Sequence, residues 1–202
     1  MNTKSLLLAA VVAAVGAVSG SAQVTSQNIV GYVRLSLAKG NNLIGNQLNN
    51  GNNAIGTVLN VPDGTAVYKF TGGKYVANSY VDGAWDAPAM TLPPGDGFFI
   101  NVPAATTITL IGEVSLNNSA ALAAGFNLLS VPVPLAGGLT DAAAGGLTAA
   151  EGDAVYQWAG NKFALSEYVD GAWAPAAPTV KVGEGFFLKG AARTYTRNFS
   201  VN

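Results

Sequence analysis

The hexapeptide Tyr80-Val81-Asp82-Gly83-Ala84-Trp85 recurs unchanged as Tyr168-Val169-Asp170-Gly171-Ala172-Trp173. Extended outward at that offset of 88, residues 67–100 align with residues 155–188, and 16 of the 34 aligned positions are identical. The chain is therefore a duplicated module, and what both copies keep is what the module needs to fold. Each hexapeptide is itself a strand-turn-strand signal. Tyr-Val leads into Asp-Gly, where Gly supplies a positive φ and Asp tolerates one, and Ala-Trp begins the return strand.

The same grammar continues on both sides. Residues 66–70 and 75–81 flank Thr71-Gly72-Gly73-Lys74, and residues 154–158 and 163–169 flank Ala159-Gly160-Asn161-Lys162, each reading as a hairpin. Downstream, Gly97-Phe98-Phe99-Ile100 and Gly185-Phe186-Phe187-Leu188 read as short core strands, introduced by Gly95-Asp96 and Gly183-Glu184. Two adjacent Phe on a strand point to opposite faces, so one of each pair must meet a second sheet, the linker or a partner. Residues 106–114 and 194–201 close the copies with more strand.

Upstream, Asn42-Leu43-Ile44 and Asn127-Leu128-Leu129 match at an offset of 85, so three extra residues enter the second copy in the intervening Asn- and Gly-rich loop. Residues 54–59 and 140–144 in that loop are predicted to make a helical turn. Many short strands separated by turn residues predict an all-β chain of two tandem β-sandwich-like domains, Ig-like or barrel-like. The expected boundaries are a signal peptide over 1–22, a first repeat over 23–114, a linker over 115–122 and a second repeat over 123–202.

Composition narrows the class. Lys4, an apolar run from Leu6 to Val18 and Ser19-Gly20-Ser21-Ala22 have the layout of a secretory signal peptide. The apolar run is too short to span a bilayer comfortably, and no later segment is as apolar, so no transmembrane segment is expected in the mature chain. Charged residues make up 10% of the chain against roughly 25% in ordinary soluble domains, and such a surface resists association poorly. Ten basic and 11 acidic residues leave no electrostatic footprint for nucleic acid. Cysteine is absent, so stability must come from the core or from partners rather than from disulfides.

The segments Gly40-Asn41-Asn42-Leu43-Ile44-Gly45-Asn46 and Gly125-Phe126-Asn127-Leu128-Leu129-Ser130-Val131-Pro132, each followed by Gly-acid-Gly-Phe-Phe, resemble a β-rich repeat of exported bacterial proteins of the Bacteroidetes and Verrucomicrobia types. The resemblance covers both copies. It implies a β fold and a secreted or cell-surface location, and most such proteins have no assigned activity. The first copy departs from the pattern at Gln47, where a proline is common.

Chemistry is sparse. Histidine and cysteine are both missing, which removes Ser-His-Asp and Cys-His nucleophiles and the common zinc sets. A carboxylate pair of the glycosidase kind would need neither residue, yet Asp63, Asp82, Asp96, Asp170 and Glu184 each precede a glycine, where turn chemistry accounts for them. No spacing matches a calcium loop. Neither a catalytic residue, a metal nor a cofactor is expected. The candidate glycan-stacking residues are Tyr80, Trp85, Tyr168 and Trp173, because flat aromatic faces suit sugar rings; packing across the hairpin is the competing and stronger reading.

One strand lacks an obvious place. Ile29, Val33, Leu35 and Leu37 alternate with Arg34 and Ser36, the period of a strand with one buried face. Leu110-Ile111-Gly112-Glu113-Val114 aligns with Ile29-Val30-Gly31-Tyr32-Val33 at an offset of 81, as though one strand both ended the first copy and began the second. On that reading Ile29, Val30, Gly31, Tyr32, Val33, Leu35 and Leu37 form an assembly strand that adds to another copy head to tail. Folding back on its own module is the alternative. The resulting expectation is a non-enzymatic exported structural protein, a surface or extracellular filament subunit that polymerises with itself. The alternative is a carbohydrate-binding or adhesive module for a polysaccharide, using the paired Tyr/Trp hairpins.

Overall fold

The computed structural model describes residues 29–200; the signal-peptide segment expected over 1–22 lies outside them. The first module runs β1 (Val30–Leu37), β2 (Gly40–Gly45), a single helical turn α1 (Ile55–Val58), β3 (Thr65–Thr71), β4 (Lys74–Val81), β5 (Ala84–Trp85), β6 (Gly97–Val102) and β7 (Thr106–Glu113). The second repeats it as β8 (Asn117–Leu122), β9 (Gly125–Ser130), β11 (Ala154–Trp158), β12 (Phe163–Val169), β13 (Ala172–Ala174), β15 (Gly185–Gly190) and β16 (Arg193–Asn198), with a two-residue pair β10 (Gly137–Gly138) and β14 (Thr179–Val180) in its long loop. The all-β expectation holds.

Each module is a two-layer sandwich. A five-stranded antiparallel sheet, β2-β6-β3-β4-β5 or β9-β15-β11-β12-β13, is covered by a two-stranded ribbon, β1-β7 or β8-β16. Strand alternation supplies the filling: Val33, Leu37, Ile108 and Leu110 from the first ribbon pack with Ile44, Val67, Phe98 and Ile100 from the sheet. The predicted hairpins form. Asp82 and Gly83, with φ of 52° and 77°, make the two-residue turn that the repeated hexapeptide encodes, and Asp170 and Gly171 repeat it at 53° and 79°. Asp63 Oδ1 accepts the Gly83 N–H at 3.1 Å, and Glu151 Oε1 accepts that of Asp170 at 3.0 Å, so carboxylates secure both turns. The helical turn appears at Ile55–Val58, whereas residues 140–144 make hydrogen-bonded turns organised by Asp141.

Two expectations are corrected. The linker over 115–122 is instead β8, paired with β16 from Leu122 opposite Arg193 to Asn117 opposite Asn198. The proper counterpart of β1 is therefore β8, at the offset of 85 that also relates β2 to β9. No boundary strand is shared between copies. The assembly strand is likewise not orphaned: β1 lies antiparallel to β7 over eight residues, from Val30 opposite Glu113 to Leu37 opposite Thr106, and Val114 N–H donates to Ile29 O at 2.8 Å beyond it. The physical reason is economy of backbone polar groups, since each ribbon strand satisfies the other's ladder inside one module.

The modules meet about a pseudo-two-fold axis. Gly45 N–H donates to Gly183 O at 2.9 Å, and at the equivalent place Ser130 N–H donates to Gly95 O at 2.8 Å. Gly97 and Gly185, the second glycines of the repeated Gly-acid-Gly-Phe-Phe segments, lie directly against the Leu129 and Ile44 carbonyls of the other module, and a Cβ at either would collide with them. These glycines are kept because another backbone occupies the space a side chain would need. Gln47, the counterpart of Pro132 in the second module, is fully buried: its amide donates to Val131 O at 2.9 Å and accepts Gly183 N–H at 2.8 Å. The main apolar core runs through both modules.

Candidate functional site: an aromatic cleft between the modules

The hairpin aromatics serve packing. The Asp-Gly turn places Tyr80 opposite Trp85 and Tyr168 opposite Trp173, with ring centroids 5.2 Å apart in both pairs. Trp85 is only 8% exposed and belongs to the main core, against which Tyr80 and Trp173 also pack. A sugar cannot stack on the buried Trp85 ring, which leaves packing across the hairpin, the stronger of the two readings, as the role of that residue. Burial of a large ring beside a tight turn outweighs leaving it in water.

A different set of aromatics does form a surface. Phe98 and Phe186 enter the main core, while Phe99 and Phe187 point the other way and join Leu43 and Leu128 in a second cluster flanked by Tyr68, Phe70, Tyr156 and Trp158. This is the second destination the adjacent Phe residues require. Phe70 reaches from the first module to stand 5.3 Å edge-on to Phe187, and its counterpart Trp158 reaches back to stand 5.4 Å edge-on to Phe99. Reciprocal crossing of these two rings joins the outer faces of both sheets.

Beside Trp158 the outer face opens into a cleft of about 480 Å³ lined by Asn41, Tyr68, Tyr75, Phe99, Asn101 and Trp158. Register explains the set. Asn41 pairs with Asn101, Leu43 and Tyr68 both pair with Phe99, and Phe70 pairs with Tyr75, so all these side chains leave the same face of the first sheet. Asn101 Nδ2 donates to Asn41 Oδ1 at 2.8 Å, and Trp158 Nε1 donates to the Asn41 carbonyl at 3.2 Å, which fixes the indole across the module boundary. Tyr75 is 51% exposed at the cleft, and partial burial raises its phenol above the ordinary value. The lining carries rings and amides and no charged side chain.

A larger cleft of about 870 Å³ lies where the β3–β4 turn of the first module faces β8 and β9. Lys69 Nζ stands 2.5 Å from Asp96 Oδ2 at its edge and also donates to Thr91 O at 2.8 Å. The second module repeats this construction with neutral and acidic partners: Gln157 Nε2 donates to Thr179 O at 2.6 Å and to Glu184 Oε1 at 2.9 Å. Because both copies use the same tie to hold a loop to β3 or β11, the Asp96 pair reads as structural. Among the described residues, no group of three or more acids gathers as a metal site would need, and no helix is long and apolar enough to cross a membrane.

Reading the sequence alone overlooks Tyr68, Tyr75, Trp158, Asn41 and Asn101. The available signal is the aromatic second face of β3 and β4, together with the second Phe of each Phe-Phe pair. Nothing local reveals that Trp158, 117 residues from Asn41 in the chain, completes the set. No family model, curated protein or solved structure matches this chain.

Proposed function

We propose that this protein is a non-enzymatic exported carbohydrate-binding module whose site is the cleft bounded by Tyr68, Tyr75, Phe99 and Trp158. The observation that carries this reading is one concave surface in which the half-exposed Tyr75 ring and the partly exposed Tyr68 and Trp158 rings stand over Phe99 beside a fixed pair of amides. Apolar C–H faces of a sugar pack on rings, and a few placed polar groups orient its hydroxyls. The absence of charge in the lining favours neutral sugars over uronic or sulfated ones, since a buried anion without a partner is costly. Trp158 belongs to the second module, so the site needs both copies, which gives the duplication a functional use.

The test is isothermal titration with cellohexaose, mannohexaose and laminarihexaose. Trp158→Ala and Tyr75→Ala should each weaken binding at least tenfold, and Trp85→Ala should lower stability. Undiminished binding by Trp158→Ala, or no binding of any of the three by the wild type, would overturn the reading.

A second reading, the exported structural subunit, draws on the outward face of the β1–β7 ribbon. Tyr32 and Ile111 pair directly there and are 72% and 62% exposed, with Val30 alongside at 69%. Their counterparts on the β8–β16 ribbon are Asn117, Asn198 and Ser115. An apolar face kept in one module and polar in the other favours a neighbouring copy as its cover, through the face of β1 rather than a vacant strand position. Tyr32→Asn with Ile111→Asn should abolish concentration-dependent association in sedimentation, and unchanged sedimentation of the two proteins would overturn it.

A further inference from the structure

The cleft has a counterpart. Carried through the repeat, Tyr68, Tyr75 and Phe99 become Tyr156, Phe163 and Phe187, and the crossing Trp158 becomes Phe70. Aromatic character survives at all four positions. The two amides do not survive: Asn41 becomes Phe126 and Asn101 becomes Lys189. In the second module Phe126 lies 5.5 Å from Tyr156 and 6.1 Å from Phe187, the counterparts of the Tyr68 and Phe99 rings that line the open cleft, and Lys189 Nζ sits 5.9 Å over the Phe126 ring. Phe163 closes the group at 6.3 Å from Tyr156 and 5.9 Å from Phe187.

We propose that Phe126, capped by Lys189, is a built-in plug in a second, pseudo-symmetric copy of the neutral-glycan cleft, so that the chain carries one open site for two modules. The proposal rests on the glycan reading of the open cleft. Two symmetric sites facing the same way would bind a polymer twice and crosslink chains; one plugged site makes the chain monovalent. The residue at position 41 or 126 is then the determinant of whether a module binds. An amide orients a hydroxyl and leaves space above the rings, whereas a phenyl ring fills that space and a cation over it adds charge where a neutral ligand brings none. Phe126 is 46% exposed, so its replacement removes little of the core.

The experiment counts sites on the full chain by isothermal titration with cellohexaose, mannohexaose and laminarihexaose. Phe126→Asn with Lys189→Asn should double the wild-type stoichiometry from one to two. The reverse change, Asn41→Phe with Asn101→Lys, should abolish binding while the thermal transition stays within a few degrees, and all four substitutions together should restore one site. A stoichiometry of one in both the wild type and Phe126→Asn/Lys189→Asn would overturn the plug and leave the open cleft standing. Two sites in the wild type would do the same. Failure of both proteins to bind any of the three oligosaccharides would overturn plug and cleft together.

Discussion

The side-chain amide of Gln47 accepts the backbone N–H of Gly183 at 2.8 Å, 136 residues away in the chain, and donates to the Val131 carbonyl at 2.9 Å. One fully buried residue thus satisfies two backbone groups of the other module. Its counterpart is Pro132, which has neither donor nor acceptor to offer in its side chain. Replacing Gln47 by Leu, or by the proline that the second module has at this place, leaves the Gly183 N–H unpaired and the Val131 carbonyl with only a long 3.4 Å contact from Ser130 Oγ. Each such loss costs about 1–3 kcal/mol. The urea midpoint of Gln47→Leu should fall accordingly, and a midpoint equal to that of the wild type would show that water replaces the amide.

Gly97 and Gly185 should tolerate no side chain. A methyl group at either runs into the opposite module's carbonyl at Leu129 or Ile44, a backbone atom that cannot swing aside. Overpacking of this kind costs about 1–3 kcal/mol. Gly31→Ala is the control, because its Cβ would rest at an ordinary 3.7 Å from Leu48. Thermal unfolding of the three alanine variants should separate Gly97→Ala and Gly185→Ala from a near-neutral Gly31→Ala.

Asp153 is 1% exposed and takes a two-pronged contact from Arg193, both N···O distances being 2.7 Å. The first module places Thr65 and Thr106 at these positions, and Thr65 bonds locally to Pro62 O at 2.7 Å. Arg193→Ala strands a buried carboxylate, which typically costs about 3–5 kcal/mol. Asp153→Thr with Arg193→Thr copies the neutral solution of the first module and should recover most of that loss. If the double variant were no more stable than Arg193→Ala, the pair would be contributing more than mutual neutralisation.

Burial raises the Asp96 carboxyl above its ordinary 3.8, against the pull of Lys69. The folded chain then holds this proton to higher pH than the unfolded chain does. Stability from this group is full below 3.8 and is lost as pH rises through the raised folded value. Asp96→Asn carries no such titration. Its stability relative to the wild type should therefore rise with pH across that window and level off above it, as read from urea midpoints. A relative stability that falls with pH would mean that the Lys69 ion pair outweighs burial.

The duplication, the hairpins and the two-faced Phe-Phe strands are legible in the sequence because they rest on short-range rules: positive φ at Asp-Gly, alternation along a strand, identity at a constant offset. Trp85 illustrates where such rules stop. Its pairing with Tyr80 follows from the turn, yet whether the ring faces solvent or core depends on α1 and the ribbon, which are distant in the chain. The strand over 117–122 was hidden by its Asn-, Ser- and Ala-rich composition, since a ribbon with one solvated face needs few apolar residues, and only pairing with β16 identifies it.

By itself, the sequence determined an all-β chain of two copies, the places of its tight turns and its lack of histidine and cysteine chemistry. Tertiary structure alone decided that β1 closes on β7, that Gln47 and the repeated glycines join the modules, and that Trp158 completes a cleft with Asn41. The reason is that these contacts join residues which only folding brings together, within one module for β1 and β7 and across the pseudo-two-fold axis for the rest, and packing between residues so far apart in sequence leaves no periodic trace along the chain.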